Sequence, residues 1–317
     1  MDEMEPTVPP EETDHDYAYF YGNLSLRSFL NFMTKETVDA LTYGQADERK
    51  RLADDWRAAS AHFQELQRAE AGWAEGLEIR PVPEALMPLA SQVEADPTFQ
   101  RAFSAVPVEI GLVELDRLVV WQNANNLVYI RQIQERLGPD PSPEAIFRTC
   151  MPFDRPAPAH RIRRVSEDSY IVTSESRNLR YQGTLLFEPH QISNFPTSGP
   201  IAGLIGVVVG FSTPYLNAIE YRGRLVLNNG FHRVYALREL GATHVPCAIL
   251  KLESLEELSV VAATDLARDP QAFLEAPRPP LLRDYFDPRV CRVVWLPARS
   301  RQVQVQFSIR VVDMPRD

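Results

Sequence analysis

The segment RLVLNNGFHRVYALRELGATHVPCAIL, Arg224 to Leu250, constrains the fold more than any other part of the chain. An apolar run passes through Asn228-Asn229-Gly230 into Phe231-His232-Arg233, continues to Leu240-Gly241, and ends in a second apolar run led by Val245-Pro246. Glycine tolerates positive φ, so Gly230 marks a sharp strand-to-helix turn and Gly241 a helix stop. The pattern predicts a strand over 225–227, a helix over 231–240 and a strand over 244–250. A helix starting this way directs N–H groups and a partial positive charge towards a position with no Cβ. An anion can come close there. The amides of Asn228 and Asn229 flank the position. His232 and Arg233 add donors on the first turn, and a guanidinium can hold two phosphate oxygens at once. The same six residues also have a purely structural reading, with Asn229-Gly230 a tight turn, His232 capping a carbonyl and Arg233 paired with a carboxylate.

Upstream, the pattern predicts a strand over 184–192, a buried helix over 201–209, a strand over 215–221 and a turn at Arg222-Gly223. Gly230-Phe231-His232-Arg233-Val234-Tyr235-Ala236, with Leu240-Gly241 and Val245-Pro246, resembles the signature segment of the ParB/sulfiredoxin superfamily. The order of elements from Thr184 to Leu250 is similar to that fold. Carried over by position, the resemblance makes Gly230, His232 and Arg233 phosphate-contacting residues. Asn228, Asn229 and Phe231 complete the expected nucleotide site, with His232 the expected catalytic group. It implies ATP or CTP with Mg2+ as ligand and an NTPase or phosphotransferase activity; zinc, haem and flavin are not expected. On this reading, Gly230→Val removes nucleotide binding and leaves the fold intact. Two departures narrow the resemblance. Phe231 stands where sulfiredoxins carry their catalytic cysteine, which excludes that covalent route, and Cys247 is a poor substitute. Partition proteins carry Arg-Arg at the paired position and a helix-turn-helix downstream, neither of which is found here. The rival readings are a non-catalytic regulatory or scaffold protein that keeps the fold, and a nuclease-like protein acting on nucleic acid.

The rest of the chain points to an α+β protein. Residues 1–16 read as a disordered acidic tail, 17–152 as a mainly helical accessory domain, and 153–317 as the ParB/sulfiredoxin-like mixed α/β domain with a short C-terminal β extension. Leu52, Trp56, Ala59, Phe63, Leu66 and Ala69 recur at steps of three and four, one stripe of a long helix. Further helices break at Pro88 and Pro97. Residues 107–122 change to a strand period, and a helix follows that stops at Gly138. Ser142-Pro143 opens another helix, with Ser142 as N-cap. RQVQVQFSIRVV alternates strictly, as a strand does. The helical region offers a surface for a protein partner or self-association.

Net charge is −10, but residues 1–100 hold 20 acidic and 8 basic side chains, which leaves +2 for the remainder. That remainder lacks the dense basic stripe of a phosphate-backbone binder, so nucleic acid is not an expected partner. No run of 18 apolar residues occurs and the N-terminus is acidic, so the expectation is a cytoplasmic protein without a membrane partner. Cys150, Cys247 and Cys291 share no metal-ligand spacing. Glu220, Asp265 and Asp269 read as surface charges.

Overall fold

The computed structural model describes residues 16–20, 22, 46–153, 158–174, 176, 178–193, 198–262, 264–295 and 301–311. The protein is mixed α+β with several small sheets. It divides into two compact units: residues 1–153 with 214–298, and residues 154–213 with 299–317.

The first unit opens with β1 (Asp16–Phe20), α1 (Ala46–Ala69), α2 (Met87–Ala95) and α3 (Pro97–Ala102). It continues with β2 (Val108–Glu114), β3 (Ala124–Asn126), α4 (Leu127–Leu137) and α5 (Pro143–Cys150). The second unit holds β4 (Arg161–Arg164), β5 (Ser169–Ser174), β6 (Leu179–Phe187) and β7 (Leu204–Phe211). The chain then returns to the first unit with β8 (Asn217–Tyr221), β9 (Arg224–Asn229), α6 (Phe231–Glu239) and β10 (His244–Lys251). Three short helices, α7 (Leu258–Val261), α8 (Thr264–Arg268) and α9 (Pro270–Leu274), and β11 (Cys291–Trp295) complete that unit. The last strand, β12 (Arg301–Gln306), pairs with β5 in the second.

The centre of the first unit is a four-stranded sheet in the order β2-β10-β8-β9. β10 runs parallel to β8 and antiparallel to β2. β8 and β9 form a hairpin whose two-residue turn, Arg222 (φ 53°) and Gly223 (φ 78°), has both φ angles positive. That conformation matches the twist of the flanking strands. Six consecutive residues of β10, Val245 to Leu250, are buried, as expected of a strand covered on both faces. The expected boundary at 152/153 coincides with the passage into the second unit, but residues 214–298 do not stay with 154–213. They rejoin the helical region because β2, from that region, pairs with β10 along seven residues.

Two local expectations change. Residues 17–20 form not a helix but β1, held between β11 and β3; of the acidic tail, residues 1–15 lie outside the described residues, and Asp16 begins β1. Residues 204–211 form not a buried helix but β7, antiparallel to β6. Three successive valines, Val207 to Val209, favour the pleated backbone, and an apolar run of eight has no periodicity to decide between helix and strand. The long-helix reading holds. Ala59 and Phe63 are buried on α1, Trp56 and Leu66 are partly so, and the stripe ends before the exposed Ala69. Ser142 caps α5 as read, its hydroxyl accepting from Ala145 N at 3.2 Å. Ser142→Ala should therefore lower stability by about 1 kcal/mol, visible as a drop in thermal midpoint.

Candidate phosphate site at the β9–α6 junction

The expected site lies entirely in the first unit, where β9 turns into α6. Gly230 is the turn residue, with φ 107°. A β-bulge precedes it: Asn217 pairs with Asn229 and Ala218 with Leu227, so Asn228 is the extra residue. The bulge directs the Asn228 amide inward, where Nδ2 donates to Asn217 Oδ1 at 2.9 Å and to the Val261 carbonyl at 3.1 Å. Asn217, fully buried, donates from Nδ2 to the Tyr215 carbonyl at 3.0 Å, and Asn229 Nδ2 reaches the same oxygen at 3.1 Å. The three asparagines thus knit the bulge to the start of β8.

Arg233 turns inward as well. Its Nη1 donates to the carbonyls of Thr149 (3.3 Å), Cys150 (3.1 Å) and Pro214 (2.5 Å). Thr149 and Cys150 end α5, and Pro214 is where the chain returns to the first unit. Leu216 N adds a bond to the Cys150 carbonyl at 2.8 Å. One guanidinium therefore clasps the point where the chain leaves this unit to the point where it comes back. A missed signal announces this role. The last carbonyls of a helix need donors, and Met151-Pro152 offers no glycine cap after Cys150.

Gly230 is confined by packing. A Cβ there would stand 2.9 Å from Leu216 Cγ and 3.3 Å from Arg233 Nη2. Phe231 is buried, its ring edge-on to Trp121 with centroids 5.0 Å apart. His232 is half-buried and lies edge-on to Tyr129 of α4, centroids 5.3 Å apart. Tyr129 is itself exposed. Further along α6, Tyr235 packs against Phe286, centroids 4.4 Å apart, as a core residue. Burial, with Glu239 and Cys291 adding to it, pushes its phenol pKa up.

The site thus gathers Asn228, Asn229, Gly230, Phe231, His232 and Arg233 at one junction, but the named contacts of four of them run into the protein. Sequence reasoning missed Asn217, Tyr129 and the carbonyls of Thr149, Cys150 and Pro214, all distant in sequence from the motif. Cys150 and Cys247 are fully buried. Burial pushes the Cys150 thiol up to about 12 despite the pull of Arg233, and raises Cys247 as well. Burial thus favours the neutral thiol at both positions. Glu220 accepts from Gly223 N at 2.8 Å and Asp269 caps α9 through Ala272 N, so both serve turns. Among the described residues, no three His, Cys, Asp or Glu side chains converge as a metal site.

The chain matches no family model, no curated protein and no solved structure. Likewise, no helix among the described residues is long and apolar enough to cross a membrane.

Proposed function

We propose that the protein binds a nucleotide through its phosphates at the N-terminus of α6, in the manner implied by the resemblance to the ParB/sulfiredoxin superfamily. The observation that carries this reading is Gly230 at φ 107°, opening a nine-residue helix between β9 and a strand, β10, that runs parallel to β8. N–H groups at such a terminus attract a phosphate. His232 and Tyr129 border the same end of the helix, where His232 can donate to a phosphate oxygen and Tyr129 offers an exposed ring to a base. Arg233 acts here as a positioning residue that fixes the junction's main chain. Among the described residues no group of three acidic, His or Cys side chains converges to hold the Mg2+ expected with ATP or CTP, so the ion would arrive on the nucleotide phosphates with its waters.

A second reading is favoured by one observation. Asn228, Asn229 and Arg233 all bond to the protein's own main chain or amides, as in a domain that keeps the architecture as a scaffold without turnover. Thermal shift against ATP, CTP, GTP and ADP, with and without magnesium, separates the two. A bound nucleotide at 100 times its Kd stabilises the native state by about 2.7 kcal/mol. His232→Ala should then weaken binding several-fold with an unchanged ligand-free midpoint. If it lowers turnover more than affinity, His232 acts in the transition state. No shift with any of the four nucleotides leaves the scaffold reading in place.

A further inference from the structure

In the second unit, β6 and β7 form a two-stranded ribbon. The register sets Thr184 opposite Val207, Leu186 opposite Ile205 and Tyr181 opposite Val209, so these six side chains share one face. That face is uncovered: Ile205 is 78% exposed, Leu186 72%, Tyr181 56% and Val207 42%. A lone two-stranded ribbon is marginal in water and needs further strands or a cover. Among the described residues neither edge of the ribbon pairs with a further strand; β12 comes near β6 but pairs with β5, and the edge of β7 is the uncharged one. Its sequence, LIGVVVGF, carries no charge and no proline over eight residues, and the bulge of the pair falls in β6. Soluble proteins blunt exposed edges with lysine, proline, bulges or short strands. β7 has none of these, and among the described residues its main chain finds no partner beyond β6.

We infer that β7 pairs antiparallel with β7 of a second copy of this chain, giving a continuous sheet β6-β7-β7-β6 across a two-fold axis. The occupant follows from the kind of surface. A lipid would cover the apolar face but leave the edge N–H and C=O groups unpaired, which hydrocarbon does not tolerate. It would also meet Glu188 and His190, exposed at the end of the ribbon. A strand satisfies both the face and the edge. An identical strand is compatible because β7 brings no charge to repel its copy across the axis, whereas β4, with Arg161, Arg163 and Arg164, would. An axis through Val207 places Val207 opposite itself and Ile205 opposite Val209, which joins the two apolar faces. One added strand pair is smaller than the ~1,200 Å² of a standard interface, so the dimer is weak and concentration-dependent.

The test is mass against concentration by light scattering. Wild type should move from 36.0 kDa towards twice that value. Val207→Lys and Val207→Glu should each stay monomeric, at least tenfold weaker in association, because each sets like charges against one another at the axis. An equimolar mixture of the two should dimerise again. Val207 is 42% exposed, so both variants should fold, which their thermal midpoints verify. The inference is overturned if wild type stays monomeric up to millimolar concentration, if both variants dimerise like wild type, or if the mixture fails to recover. Flotation of monomeric wild type with phosphatidylserine vesicles would assign the face to lipid instead.

Discussion

Gly230→Val should lower stability by about 2–5 kcal/mol and shift the urea midpoint accordingly. Two costs combine. A left-handed backbone costs a residue with a Cβ roughly 1–2 kcal/mol, and more for a β-branched one. Forcing atoms into a filled site adds about 1–3 kcal/mol. Here the filled site is specific: the new Cβ meets Leu216 Cγ at 2.9 Å and crowds Arg233 Nη2 at 3.3 Å. Displacing that guanidinium disturbs the donor shared by Thr149, Cys150 and Pro214. The expectation that this substitution leaves the fold untouched is therefore corrected, and His232→Ala is the cleaner probe of ligand binding. A midpoint equal to wild type would mean that the junction relaxes around the new side chain.

The second large effect lies far from the junction. Arg278 is 1% exposed and its side chain is the largest that is completely buried among the described residues. Nη1 and Nη2 both engage the carboxylate of Asp284, and Nε and Nη2 reach Glu70 Oε2 at 3.1 and 2.9 Å. Asp284, 2% exposed, also accepts from Leu281 N at 2.7 Å. Arg278→Leu should cost about 3–5 kcal/mol, because it leaves a buried carboxylate without its counter-charge. Arg278→Lys should cost less, since it keeps the charge but loses the planar fork. If Arg278→Leu unfolds at the wild-type urea concentration, the network contributes nothing net. The same cluster gives a pH dependence. Burial would raise the Glu70 pKa, but hydrogen bonds from Arg283 and Arg278 outweigh it and hold the carboxyl below its ordinary value. A folded pKa below the unfolded one contributes stability above the unfolded value, and that contribution fades as pH falls through the folded value. Midpoints should therefore fall on the acid side of the usual glutamate range.

Local punctuation made much of the first unit legible. Asn-Gly before a helical run, Leu-Gly after it and Arg222-Gly223 between two apolar runs are instructions carried within a few residues. They locate β8, β9, α6 and β10 to within a few residues. Ser142-Pro143 and Gly138 work the same way for α5 and α4. What the sequence hides is non-local. Nothing near Tyr17 says that its strand will lie between β11 and β3, some 275 and 110 residues away. The uncharged run of β7 carries no period, so helix and strand look alike until β6 is placed beside it. Arg233 is the clearest case at the site. On a first helical turn it reads as a phosphate ligand, and only the fold brings it to the end of α5.

Because the first unit is assembled from both sides of the second, its strands are not made together. His244, which opens β10, is 130 residues beyond Glu114, which closes β2. At about 5–20 residues per second of synthesis, β2 leaves the ribosome roughly 6–26 s before its partner exists. β1 waits longer still for β11. Through that interval Val113 and Leu115, fully covered in the finished protein, have no sheet to cover them. The nascent chain passes through a long period in which these apolar side chains are open to aggregation, and a message cut before His244 yields a chain without the strand that pairs along β2.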